Sequence, residues 1–465
     1  MKILLVQPAK ARLTVGGEDI HLYEPLALEY LAAGVAANHD VRILDMRLET
    51  DLARVLAEWT PDVVGITAYT VHANTVRRLF DRVKAWNPRT LTVVGGHHAT
   101  VAPRDFLSPA IDLIVRGEGV AAFREIVERH ERGATSEGIP GVGFARDGGL
   151  VMAEYSPAVD LDAIPHPRRD LTAQHRSRYF SEWMRPLASM RTSKGCPYRC
   201  NFCALWKITG GRYLRRRPER IVEELAGIDE ECVFFADDES LVDVERMKTL
   251  AQRIGDAGIA KRYYLYGRSD TIAGHPDLLE MWRKIGLERV FVGLEFCTDE
   301  DLRYIGKGSS VDDNARAVKI LHDLDIEIAA SLIVRPDFGH EQFAALARYC
   351  RELDLNFAGF AVLTPLPGAD LFDQVQDRLL TRNTDYCDFI HTVLPTALPL
   401  REFYREFARL YTGAIPMARQ LSLVRRYPLR ELVPVVRSAR RMYGRMRELW
   451  RDYEGEGLAR EGTGD

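Results

Sequence analysis

Long hydrophobic runs are missing from this 465-residue chain: no stretch approaches the roughly 20 apolar residues that cross a bilayer. The opening MKILLVQPAK lacks the longer apolar core and cleavage site of a secretory signal, so a cytoplasmic location is expected. An excess of one charge is missing too. Lys and Arg number 63 against 67 Asp and Glu, a net charge of -4, which gives no general reason to expect a nucleic-acid partner. No G-x-G-x-x-G follows the first strand-like run and no Walker A motif occurs, which removes the best support for an ordinary nucleotide site. Cysteine is sparse at seven residues. Cys232, Cys297, Cys350 and Cys387 stand singly, so no disulfide framework is expected.

What is present implies two or three domains, since one core usually serves about 100 to 200 residues. The composition, 46% hydrophobic and 28% charged, is that of a globular protein. KILLVQP, VRILDM, DVVGITAYT, TLTVVGGHHAT and IDLIVRGE are short apolar runs separated by helical patterns, the signature of a parallel sheet with crossover helices. Ligands of such sheets bind beyond the carboxyl ends of the strands, which places Thr67 to Thr70 and Gly95, Gly96, His97 and His98 at a binding edge. Without further context Gly95-Gly96 is a turn and the histidines are loop residues.

The remaining three cysteines, Cys196, Cys200 and Cys203, fall within eight residues in RTSKGCPYRCNFCALW, spaced C-x3-C-x2-C. Zinc, an iron-sulfur cluster, a redox dithiol and chance compete to explain them. Structural zinc wants four protein ligands, and no second C-x2-C or H-x3-H pair is visible. A dithiol leaves the third thiol unexplained. A [4Fe-4S] cluster held by three cysteines keeps one iron open for chemistry, which favours a reactive cluster.

With Phe202 directly before the last cysteine, the motif resembles that of the radical S-adenosylmethionine (SAM) enzymes. The segments CVFFADDES, RYYLYGRSD, RVFVGLEF, IEIAASLIV and FAGFAVLTPLPGADLF then read as strands of a partial (β/α) barrel, whose strand ends face the active site. Asp237, Asp238, Glu239, Arg268, Asp270 and Glu295 stand at those ends. The resemblance implies that Cys196, Cys200 and Cys203 hold a [4Fe-4S] cluster and that Phe202, Asp238, Arg268 and Glu295 serve SAM. Arg335 and Pro336 stand where the family has a glycine-rich turn.

A sheet domain directly ahead of such a core resembles the cobalamin-dependent (class B) radical SAM enzymes. The expected fold class is α/β: residues 1–140 a Rossmann-like cobalamin-binding domain, 141–185 a linker, 186–385 a radical SAM partial (β/α)6 barrel, and 386–465 a helical, Arg-rich region. Thr67, Gly95 and Gly96 are the expected cobalamin contacts. The D-x-H-x-x-G motif that supplies a cobalt ligand in many cobalamin domains is absent, so no histidine ligand is expected.

Between Pro416 and Trp450 nine arginines face only Glu431 and Glu448, interleaved with apolar residues. Such a segment reads as a solvated helical cap or as a peripheral contact with an anionic membrane. Pro428 and Pro434 are expected to break any single long helix there. GGHHATVAPRDF, the cysteine segment through VEEL, and FFADDE are most similar to the hopanoid C-3 methylases. The resemblance implies methylation of an unactivated carbon of a polycyclic triterpenoid, one SAM forming methylcobalamin and a second generating the 5'-deoxyadenosyl radical. It also implies a low-potential electron donor such as flavodoxin or ferredoxin. The alternatives are another natural-product, peptide or porphyrin-type substrate, or a non-catalytic sensor. No acid-base residue is singled out, because abstraction by the adenosyl group needs no particular side chain.

Overall fold

The computed structural model describes residues 1–17, 20–355, 357–414 and 429–454. The first sheet contains β1 (Lys2–Gln7), β2 (Asp40–Asp45), β3 (Val63–Thr67), β4 (Leu91–Gly95) and β5 (Leu113–Val115), followed by β6 (Val142–Arg146) and β7 (Gly149–Met152). Their order is β2-β1-β3-β4-β5-β6-β7. The first five are parallel, as their apolar runs predict, and β6 and β7 add an antiparallel hairpin at one edge.

The period of two along each strand divides these runs between two cores. Ile3, Leu5, Ile43, Val63 and Val93 pack on one face, and Leu4, Val6, Leu44, Val64 and Val94 on the other. Both faces are covered, which is why the strands are almost wholly apolar. The strand order reverses between β1 and β3, and the crevice for a ligand opens at such a point.

The second sheet contains β8 (Leu187–Met190), β9 (Cys232–Phe235), β10 (Arg262–Arg268), β11 (Leu287–Glu295), β12 (Glu327–Val334) and β13 (Phe357–Val362). All six are parallel and adjacent in chain order, making the expected partial barrel. Its first strand, β8, was not among the five segments picked out by their apolar pattern. Helices Pro218–Ala226 and Pro276–Lys284 begin with proline at the first turn, where its missing N–H costs nothing. The outer faces of the strands pack on these helices. The inner face instead carries aromatics, with Phe234, Tyr264, Tyr266, Phe291 and Phe357 in one cluster.

A proline does not stop the last long helix. Leu429–Met446 runs through Pro434, correcting the expected break. At the sixth residue of the helix, the proline removes one backbone hydrogen bond, the one to the Arg430 carbonyl, and the helix continues beyond it. Of the arginine-rich stretch, residues 416–428 lie outside the described residues. Arg437 and Arg440 are exposed, while Arg445 donates to Asp452 at 2.5 Å. Met446, Leu449 and Tyr453 are fully buried in the barrel core.

His391 fastens this region. Fully buried, it bonds Asp388 through Nδ1 and Asp452 through Nε2, each at 3.0 Å. The Tyr453 and Tyr404 hydroxyls meet beside it at 2.6 Å, and the Tyr386 hydroxyl donates to the Asp452 carbonyl. Burial lowers the imidazole's affinity for a proton, but the two carboxylates outweigh it and raise the group to about 9. The pair's contribution is therefore complete below the ordinary value of 6.5 and declines as pH rises through about 9. We predict that His391→Gln lowers stability by about 2 kcal/mol at pH 6. Its thermal midpoint should converge on that of the parent above pH 9, followed by circular dichroism across pH.

Candidate functional site

Two consecutive acids guide the chain from the barrel into the cysteine loop. Asp237, buried at the end of β9, accepts the Thr192 and Ser193 amides at 2.7 and 2.8 Å and the Thr192 hydroxyl at 2.6 Å. Its neighbour Asp238 accepts the Gly195 amide at 2.6 Å, one residue before Cys196. Burial raises the Asp238 carboxyl, against the Gly195 amide and Lys194. The loop is pinned from its far side by Asn201, whose amide donates to the Ile305 carbonyl and whose Nδ2 donates to the Tyr304 carbonyl.

Cys200 is buried, and Cys196 and Cys203 are half-buried. Burial pushes the thiols of Cys196 to about 11 and Cys203 to about 12, and Cys200 upward against the pull of Lys307 and Arg268. The charge of Cys200 bears on Cys196, and those of Cys200 and Cys196 bear on Cys203, so the loop gathers them into one neighbourhood. A metal centre binding here displaces their protons and supplies the missing positive charge. Among the described residues no three His, Cys, Asp or Glu side chains converge as ligands of a single ion. Phe202 is half-buried against the barrel core.

The residues expected to serve SAM divide into two places. Asp238 lines a cavity of about 300 Å³ between the two sheets. Arg268 and Glu295 lie together near Cys200 and already have partners. Arg268 forms a two-pronged pair with Asp270, donates to the Lys307 carbonyl at 2.6 Å, and stands 3.7 Å over the Tyr198 ring. Glu295 accepts the Lys307 ammonium at 2.6 Å. Glu239 is raised to about 7 by burial, against the Leu241 amide, Lys307 and Arg268. Lys307 was not picked out from the sequence; the only signal was its place between two glycines in IGKGSS.

From the first sheet, the cavity wall includes Thr67, Gly95 and Gly96 at the carboxyl ends of β3 and β4. Gly96 has a φ of +97°, and a Cβ there would meet Thr67 Oγ1 at 2.6 Å and the Ala68 amide at 2.9 Å. Only glycine lets the strand end turn so closely. His98 is held away by Thr70 at 3.2 Å and Asp105 at 3.0 Å, one partner for each ring nitrogen. His97 stacks on Tyr69 and is pushed down to about 4 by burial. Tyr69 is 58% exposed, yet burial raises its phenol. It lines the cavity beside Gly96 and His97.

A carboxylate from one sheet and two cations from the other cross this space. Glu118 Oε2 accepts Arg191 at 3.0 Å and Lys194 at 2.9 Å. Burial alone would raise the Glu118 carboxyl, but the two cations overcome it and pull the group down to about 2. Arg191 also lies 4.7 Å from the centre of the Tyr30 ring. The barrel side continues into aromatic surface: Tyr23 stacks on Phe234 at 4.7 Å, and Tyr266 meets Phe291 at 4.8 Å. Beneath them, Arg289 is fully buried between Glu182 and the rings of Trp183, Tyr264 and Phe357.

The comparisons divide the chain at the same place. A model of the B12 binding domain matches residues 13–127, and one of the Radical SAM superfamily matches residues 190–350. The hopanoid C-3 methylase of Methylococcus capsulatus is 32% identical over 418 residues, covering 88% of this chain and 79% of that protein. The chain belongs to the cobalamin-dependent radical SAM methyltransferases. The anaerobic magnesium-protoporphyrin IX monomethyl ester cyclase of Rubrivivax gelatinosus is 27% identical, covering 85% of this chain and 73% of that one. The methyltransferase TsrM from Kitasatospora setae, solved with cobalamin and a [4Fe-4S] cluster bound, shares the fold at a TM-score of 0.67 and 21% identity, covering 81% of this chain and 78% of that one.

The cofactors of this cobalamin-dependent radical SAM enzyme are a [4Fe-4S] cluster, SAM and cobalamin. Its residues suit them on two observations. Three thiols on one loop form a sulfur donor set matched to iron. The Gly95-Gly96 turn leaves the ends of β3 and β4 bare beside the cavity. Because Glu118 joins the two sheets across that cavity, Glu118→Ala leaves two cations uncompensated and should cost about 3 kcal/mol. Hydrogen exchange at Thr192 to Gly195 should rise in the variant, measured by mass spectrometry.

Proposed function

We propose that the enzyme methylates an unactivated carbon of a polycyclic triterpenoid, with hopanoid C-3 as the acceptor. The observation that carries this reading is the aromatic inner face of the barrel, Phe234, Tyr266 and Phe291, with Tyr23 of the N-terminal segment stacked on it. Faces of this kind accept a rigid hydrocarbon without asking it for hydrogen bonds. The 32% identity to a hopanoid C-3 methylase supports the same substrate class. The cyclase relative favours a planar macrocycle as a second reading.

In this reading Cys196, Cys200 and Cys203 hold the cluster. Phe202, Asp238, Arg268 and Glu295 form the SAM site, and Thr67, Gly95 and Gly96 receive cobalamin. The bound cofactors supply a carbon-centred radical and a transferable methyl group. The residues position and shield. Asp238 reaches the cavity while its other duty, holding Gly195, fixes the cysteine loop. The Glu118 bridge keeps the two sheets at one separation. Tyr69 lines the cavity with a ring and the barrel aromatics extend that apolar surface, which limits the water that could reach a radical. A flavodoxin or ferredoxin supplies the electron. The exposed Val433, Val436, Arg437 and Arg440 give the last long helix an apolar and basic surface for peripheral contact with an anionic membrane.

Anaerobically loaded enzyme given SAM, reductant and a hopanoid should yield 5'-deoxyadenosine, S-adenosylhomocysteine and a product heavier by one methyl, read by mass spectrometry. Turnover of a magnesium porphyrin ester with no methylated hopanoid would favour the second reading. Cys200→Ala should lose the cluster, about four irons per chain in the parent. Gly96→Ala should lose most bound cobalamin, read by visible absorption, while Gly95→Ala, whose Cβ meets nothing closer than 3.9 Å, should retain it.

A further inference from the structure

Lys307 has a more elaborate setting than a lysine needs for solubility. It is only 7% exposed, and its ammonium donates to Glu295 Oε1 at 2.6 Å. Glu295 is itself held in an unusual backbone: its φ is +59°, in the left-handed region that a residue with a side chain seldom adopts. This conformation coincides with a slip in the pairing of β11 with β12 between Gly293 and Glu295. At Gly293 a Cβ would stand 2.4 Å from Glu295 Oε1 and 2.8 Å from Lys307 Nζ, so the pair occupies the space a side chain would take.

The same segment is tied to the cysteine loop. The Lys307 carbonyl accepts Arg268 at 2.6 Å, while the Ile305 and Tyr304 carbonyls accept the amide and side chain of Asn201, the residue after Cys200. A Cβ at Gly306, next to Lys307, would lie 3.5 Å from the Arg199 carbonyl and 3.9 Å from the Asn201 amide, so this segment packs against the residues on both sides of Cys200. Burying an ion pair rarely raises stability over an apolar pair of the same volume, so stability alone does not account for these devices.

We propose that Lys307 is a positioning residue that sets the reduction potential of the cluster through its field at Cys200, and that Glu295 sets how much of that field is felt. Reduction adds one electron, and so one negative charge, to the cluster. A fixed ammonium nearby favours the reduced form, and the carboxylate bonded to it offsets part of that effect. No proton moves and no bond changes within the protein. A fixed unit charge beside the cluster, at the effective dielectric of a protein interior, is worth about tenfold or more in the ratio of reduced to oxidised cluster. The inference rests on Cys200 being a cluster ligand.

The test uses the full chain, loaded anaerobically with iron and sulfide, without SAM or substrate, and titrated with dithionite while the reduced cluster is followed by electron paramagnetic resonance. At a fixed potential Lys307→Met should lower the reduced-to-oxidised ratio about tenfold, Lys307→Arg should stay near the parent, and Glu295→Gln should raise the ratio. Opposite signs for Lys307→Met and Glu295→Gln are what a merely structural pair would not produce. Ratios within twofold of the parent in both, or shifts of the same sign, overturn the proposal. Should Lys307→Met fail to hold iron, Glu295→Gln decides alone, and the absence of an upward shift overturns it. Cys200→Ala that still holds a full cluster would instead overturn the ligand reading, whatever the signs of the two shifts.

Discussion

The carboxylate of Asp237 is the point from which the rest of the site is laid out. Fully enclosed at the end of β9, it takes two amides and a hydroxyl from the residues that leave β8, and so decides where the chain goes after the first barrel strand. Asp238 repeats the operation one residue on. The cysteine loop therefore hangs from two adjacent acids at one strand end and from Asn201 on its other side. An apolar contact could not do this work. It would bring the loop near without fixing its direction, whereas hydrogen bonds to a charged acceptor are directional and strong.

The second organising effect is charge in a place with little water. Glu118, Arg191 and Lys194 lie across the seam between the two sheets, and Arg268, Lys307, Glu239 and Glu295 gather on the other side of the thiols. Charges of opposite sign alternate through the site, so no large net charge is buried. The aromatic face of the barrel supplies the apolar counterpart.

Much of this was legible before any coordinates, and for local reasons. The five parallel strands of the first sheet announce themselves because both faces are buried, and a strand buried on both faces is an unbroken apolar run. The three cysteines were legible because they stand close together in sequence. What escaped depends on partners distant along the chain. Glu118 is 73 residues from Arg191, and His391 is 61 from Asp452, so nothing local marks either. β8, LASM, is four residues long and includes a serine, too short to show a period. The hairpin of β6 and β7 escaped because its strands, VGFAR and GLVM, are short and only partly buried at the sheet edge. Proline at 434 read as a stop, since its tolerance near a helix start depends on exactly where the helix begins.

The chain's early and late segments share one core. Val15 packs into the barrel core and its amide reaches Asp388, Met442 lies against Gly16, and Tyr453 closes over Tyr404. During synthesis the barrel strands emerge well before residues 446–453, yet those residues fill space that would otherwise be open to water. Until they arrive, the core between the strands and the outer helices is incomplete. The packing around the catalytic core is thus completed by the last-made part of the described chain.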